Sequence, residues 1–177
     1  MIDKPIRVLF LCTHNSARSV LSEAILAKLG AGVFEAYSAG STPRGTVNPL
    51  ALQTLRENGH DVSGLASKSW DVFAAPGAPT LDFMFTLCDD AAAETCPVWP
   101  GHPASDHWGM PDPSRVAGGE AAQRQAFAEA YRRLTVEIGR FVTTARGCQT
   151  VEEFRGKIPV LSTDIRAGLS APYRTGA

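Results

Sequence analysis

The apolar run Ile6-Arg7-Val8-Leu9-Phe10-Leu11 leads directly into Cys12-Thr13-His14-Asn15-Ser16-Ala17-Arg18-Ser19, and a helical repeat begins at Arg18. A buried strand that turns into a helix through a few small and polar residues commits the chain to a parallel sheet with helices packed on it. The turn lies beyond the carboxyl end of its strand, where sheets of this kind bind ligands. Backbone N–H groups of such a loop can point inward, and the following helix adds partial positive charge at its N-terminus. Arg18 can clamp two oxygens with its planar fork. The pattern therefore predicts a cradle for a tetrahedral oxyanion with the nucleophile Cys12 at its floor. The same positive field is expected to favour the Cys12 thiolate, below the ordinary thiol pKa of about 8.5.

The rest of the chain continues the alternation. Leu21, Ala24, Ile25 and Leu29 share a helical face, and Val33 to Ser38 reads as a second strand. Asn48 caps a helix that has Pro49 at its first position and runs to about Asn58. Leu81 to Leu87 gives a third strand, and His107-Trp108 belongs to a short fourth. Phe127, Ala130, Tyr131, Leu134, Ile138 and Phe141 recur at three- and four-residue steps within a helix over 119–142. Residues 88–118 hold eight Pro or Gly and little periodicity, as functional loops do. After Gly147 the pattern weakens, with Pro159, Gly168 and Pro172 interrupting it. The expectation is one domain over 1–147 and a C-terminal extension over 148–177, formed by a short helix and a strap or partly disordered.

Composition removes several function classes. A net charge of −1 gives no bulk attraction to nucleic acid or to an anionic membrane. No apolar stretch approaches the roughly 18 residues of a membrane span, and no long apolar leader opens the chain, so a cytoplasmic protein is expected. Cys12, Cys88, Cys96 and Cys148 show no paired Cys-x2-Cys spacing, which argues against structural zinc. Reduced thiols are the default in that compartment.

Chemistry at Cys12 needs an acid to protonate the departing oxygen. Asp112, stiffened between Pro111 and Pro113, is the candidate. Cys88 ends the third strand, on the same sheet edge as Cys12, and Cys96 follows eight residues later. Two thiols at the mouth of a thiolate pocket suggest a disulfide relay. Cys148 has no evident partner and reads as a packing residue.

The segments Cys12 to Ser19, Thr86-Leu87-Cys88, Cys96-Pro97, His107-Trp108-Gly109 and Asp112-Pro113, in this order, resemble arsenate reductases of the low-molecular-weight protein tyrosine phosphatase superfamily over about residues 5–145. The resemblance implies an α/β fold, a four-stranded parallel sheet flanked by helices. It makes Cys12 the nucleophile, Arg18 the oxyanion clamp, Asp112 the general acid and Ser19 a hydrogen-bond donor to the thiolate. Thr13, His14, Asn15, Ser16 and Ala17 complete the anion loop. Arsenate is the implied substrate, reduced through Cys12, Cys88 and Cys96 in turn. Thioredoxin, or glutaredoxin with glutathione, is the implied reductant. No cofactor is required by this reading. Members of this group can also bind a structural potassium ion, at positions matching Asn15, Glu23, Ser38 and Asp71. Two other functions stay open at this level: a phosphotyrosine phosphatase, which needs only Cys12, Arg18 and Asp112, and a non-catalytic oxyanion or arsenite sensor using the thiols as soft ligands. The acid loop lacks the aromatic pair with which the phosphatases grip a phenyl ring.

Overall fold

In a computed structural model, which describes residues 2, 4–93 and 99–174, four parallel strands form one sheet in the order β2-β1-β3-β4. They are β1 (Ile6–Cys12), β2 (Phe34–Gly40), β3 (Phe83–Thr86) and β4 (Ala104–His107). β1 lies between β2 and β3, so its apolar run is buried on both faces. Val8, Phe10 and Cys12 face the main core, while Leu9 and Leu11 face a smaller cluster with Phe73, Met84 and Trp99. This is the two-sided burial expected of a central parallel strand.

The helices are α1 (Arg18–Leu29), α2 (Pro49–Glu57), α3 (Asp89–Ala93), α4 (Gly119–Arg146) and α5 (Val151–Leu169). Asn48 caps α2, its side chain accepting the Leu50 N–H at 2.9 Å ahead of Pro49 at the first position. α3 is a single turn directly after β3, inside the stretch that reads as irregular in the sequence. The fourth strand ends one residue before Trp108.

The largest departure from expectation is α5. In place of a short helix and a strap, nineteen residues form one helix. Thr150 caps it by accepting the Glu153 N–H, and Glu153 accepts the Gln149 N–H in return. Phe154, Ile158, Ser162, Ile165 and Leu169 form its buried stripe, at steps of three and four. Phe154 joins a ring cluster with Phe83, Phe141 and Phe34, at centroid distances of 5.2, 4.9 and 6.3 Å. Trp108 stacks on Phe85 at 3.7 Å in the same cluster. α5 therefore shares one core with the sheet, α1 and α4. Cys148 packs beneath the α4–α5 junction, donating to the Thr144 carbonyl at 3.2 Å. No helix among the described residues is long and apolar enough to cross a membrane.

Candidate active site

The loop after β1 is held from outside. Its carbonyls accept from neighbouring segments: Thr13 from the Thr42 N–H, His14 from the Arg44 N–H and the Ser67 hydroxyl, and Ser16 from the Asn48 N–H. With these oxygens turned outward, the N–H edge of the loop faces a tight pocket of about 10 Å³ bounded by Cys12, Ser16, Ala17, Arg18 and Asp112. Gly40, opposite Cys12 in the β1–β2 register, permits the close turn. A Cβ there would lie 2.5 Å from the Thr13 carbonyl oxygen.

Asn15 braces the loop from within. It has a left-handed backbone (φ 44°) and is fully buried. Its amide donates to the Ser19 and Ser38 hydroxyls, both at 2.9 Å, and its oxygen accepts the Lys68 N–H at 2.8 Å. Asparagine tolerates this conformation better than most residues.

The positions matched to a potassium site take part in the same brace. Ser38 donates to Glu23, and the Lys68 ammonium lies 3.7 Å from Glu23. Burial raises the Glu23 carboxyl pKa, and Lys68 and Ser38 offset part of the rise. Asp71 does not join this network; it is exposed and bonded to Ser69. A potassium ion on Glu23 would have to share that carboxylate with an ammonium already beside it. The donor set fits a hydrogen-bonded brace with lysine as its cation better than an alkali-metal site.

Cys12 and Cys88 come together. Cys88 lies two residues past the end of β3, and its sulfur accepts the Thr13 N–H at 3.3 Å and lies 3.4 Å from the Thr13 hydroxyl. Both sulfurs are nearly buried, and Cys12, Cys88 and Cys148 are free thiols. The lowering expected at Cys12 is opposed by its neighbour: interaction with the Cys88 sulfur and burial push the Cys12 thiol up, against Arg18 and the Ser19 N–H. Cys88, accepting from Cys12, Thr13 and the Ala91 N–H, is lowered to about 5 despite its burial. The two sulfurs thus form a coupled pair: the Thr13 N–H favours the charge on Cys88, while Arg18 and the Ser19 N–H favour it on Cys12. Ser19 acts on Cys12 through its backbone N–H, while its hydroxyl accepts from Asn15. Cys96 lies outside the described residues.

Arg18, at the first position of α1, points towards the acid loop. It donates to the Met110 carbonyl at 2.9 Å and pairs with Asp112 at 3.2 Å, the side chains being 12% and 15% exposed. The other Asp112 oxygen accepts the Ser114 N–H and hydroxyl, at 2.9 and 2.6 Å. Burial pushes the Asp112 carboxyl up, but Arg18 and Ser114 outweigh it and hold the pKa below the usual carboxylate range. The loop is placed by the Met110 N–H, which donates to the Leu87 carbonyl next to Cys88.

Several contributors escape a reading of the sequence. Ser114 and Arg44 line the pocket. His107 links Thr86 to Asp89 through its two ring nitrogens, at 2.8 and 2.9 Å. Cys88 also borders a second, wider cleft of about 1010 Å³, shared with Arg18, Asp112, Arg166 and Tyr173. The Ser114 hydroxyl, two residues past an Asp-Pro turn, had a local signal; Tyr173, sixty-one residues from Asp112, had none.

Comparison with known proteins agrees with this geometry. Residues 7–151 match the family model of the low molecular weight phosphotyrosine protein phosphatases. Arsenate reductase from Shouchella clausii is 34% identical over 137 residues, covering 77% of this chain and 95% of the relative. A solved arsenate reductase in its phosphate-binding state superposes with a TM-score of 0.63 at 25% identity, covering 78% of this chain and 97% of that one. The thioredoxin-dependent arsenate reductase of Corynebacterium glutamicum aligns with 93% of this chain and 64% of its own length, at 27% identity and a TM-score of 0.50.

Proposed function

The chain belongs to the low molecular weight phosphotyrosine protein phosphatase family, and we propose that it reduces arsenate to arsenite at the expense of its own thiols. One observation carries this reading within the family: a second sulfur, Cys88, sits against the anion loop and accepts the N–H of Thr13, the residue next to Cys12. Hydrolysis of a phosphate ester needs Cys12, Arg18 and Asp112 but has no use for Cys88. A sensor would have no leaving group for Asp112 to protonate.

Arsenate has the charge and shape that the loop and the α1 N-terminus favour. Its oxygens compete with Asp112 and the Met110 carbonyl for Arg18, and Arg18 turns into the pocket to clamp two of them. Losing Arg18 removes the strongest downward influence on Asp112. Burial and the negative charge of the bound arsenate then act against Ser114 and Arg115 to favour the protonated form a general acid needs. The shared proton passes to Cys88, and the Cys12 thiolate attacks arsenic; an As–O bond breaks, and Asp112 protonates the departing oxygen as water. Cys88, losing its proton to solvent, attacks the Cys12 sulfur. The S–S bond forms, the S–As bond breaks, its electron pair stays on arsenic, and arsenite leaves. Cys96 then attacks Cys88, freeing Cys12 and leaving a Cys88–Cys96 disulfide. An external thiol reductant, thioredoxin or glutaredoxin with glutathione, reduces that bond, with the wider cleft as its approach to Cys88.

The test is Cys88→Ser. A single turnover by reduced protein should release arsenite in the wild type and none in the variant, a loss of at least about 10³-fold for a residue that forms the new bond. Binding of the anion, followed by phosphate protection of Cys12 from alkylation, should survive. Undiminished arsenite release from Cys88→Ser would end the relay proposal.

A further inference from the structure

The acid loop lies outside any helix or strand, so the carbonyls of 110–112 have no ladder to join and take their donors elsewhere. Met110 O takes the Arg18 guanidinium, and Asp112 O takes the Arg115 N–H at 3.2 Å. Pro111 O accepts the hydroxyl of Tyr173 at 2.7 Å. That oxygen belongs to the peptide plane that also contains the Asp112 nitrogen, so holding it sets the direction in which Asp112 leaves the chain.

Tyr173 is itself held. The Arg133 guanidinium lies 5.1 Å from its ring centroid and donates to the carbonyls of Ala171 and Pro172. Arg133 is buried and paired with Glu129, which also accepts the Arg174 N–H. Upstream, the same C-terminal arm grips the strand leading to the acid: Arg166 pairs with Asp106 at 2.9 Å, and Ser162 accepts the Trp108 indole N–H at 2.9 Å. Three contacts from one arm therefore fall on residues 106, 108 and 111. All three lie beyond residue 151, where the family match stops.

We propose that Tyr173 is a positioning residue for the general acid, and that the arm from Thr150 onward is a built-in clasp on the loop carrying Asp112. The proposal rests on the arsenate reductase reading. In that reaction Arg18 abandons the Met110 carbonyl for the substrate, and the Tyr173 hydroxyl is the hold on the neighbouring carbonyl that stays. Tyr173 touches no reacting atom and acts through the Pro111–Asp112 peptide.

The experiment is a double-mutant cycle on the full chain: wild type, Tyr173→Phe, Asp112→Asn and the pair. Fully reduced protein is mixed with arsenate, and single-turnover arsenite release is followed to saturation. Tyr173→Phe keeps the ring over Arg133 and removes only the hydroxyl. The maximal rate should fall about five- to tenfold, with the half-saturating arsenate concentration changing less than about twofold. In the Asp112→Asn background the same substitution should cost less than about twofold, because the group being positioned is gone. Equal losses in both backgrounds, or no loss in the wild-type background, would overturn the proposal. Should the wild type release no arsenite, the reductase reading fails by itself, and the same four proteins decide the positioning role through hydrolysis of p-nitrophenyl phosphate at saturation.

Discussion

The anion loop and the C-terminal arm both shape the site, yet they are built in opposite ways. Residues 12–19 are contiguous and carry the anion-binding groups in one stretch of backbone, which distant segments only brace. The arm delivers Ser162, Arg166 and Tyr173 to a loop some fifty to sixty residues upstream, and it is anchored by a core that the whole chain makes. A contiguous site depends on local backbone geometry, whereas a delivered one depends on packing. Substitutions should therefore separate the two regions by the quantity they change.

Phe154→Ala should have the largest effect, and on stability. Phe154 is fully buried among Phe34, Phe83 and Phe141, and truncating such a ring costs about 3–5 kcal/mol. Urea denaturation would measure it. A loss below about 1 kcal/mol would mean that α5 only lies on the core, and the contrast drawn here would break.

Gly40→Ala should act on the loop instead. Its Cβ would press on the Thr13 carbonyl, and a displacement approaching 1 Å at a reacting group costs on the order of 100-fold in rate. Single-turnover arsenite release should fall by that order while the urea midpoint moves less than for Phe154→Ala.

These expectations also show what the sequence could reveal. The loop, α1, the capped α2 and the strand order's parallel sense were legible because each is encoded locally, by an apolar run, a cap or a period. α5 was not. Its buried stripe includes a polar Ser162, acceptable only because the Trp108 indole satisfies it, and Pro159 stands in its middle on an exposed face. Tyr173 was invisible for the same reason: nothing near it in sequence points to the Pro111 carbonyl that accepts its hydroxyl. The coupling of Cys12 to Cys88 is likewise invisible in the local pattern, because it arises where the end of β3 brings a second sulfur onto the Thr13 N–H.

That shared proton gives a pH signature. Thiolate absorbance near 240 nm should show one transition with a midpoint near 5, the thiolate present above it and lost below, and Cys88→Ser should move that midpoint. Because its folded value lies below that of an unfolded thiol, Cys88 adds stability above the unfolded pKa that fades as pH falls through about 5, whereas Cys12, raised on folding, works in the opposite sense as pH rises. An unchanged midpoint in Cys88→Ser would show that the two sulfurs do not share a proton.

The smallest effect should come from the brace under the loop. If Lys68 is the cation that balances Glu23, wild-type stability should be the same in potassium and sodium chloride at equal ionic strength. Lys68→Met should cost about 1 kcal/mol or less, since the pair is only partly shielded from solvent. The loss should be present at neutral pH and vanish once acid protonates Glu23, whose pKa burial has already raised and which rises further without Lys68. In that variant, and not in the wild type, potassium should restore part of the stability, because Glu23, Ser38 and Asn15 would then present oxygen to an uncompensated site. A wild type that is stabilised by potassium as strongly as the variant would show that lysine does not fill the role, and that the loop's support is less self-contained than its hydrogen bonds make it.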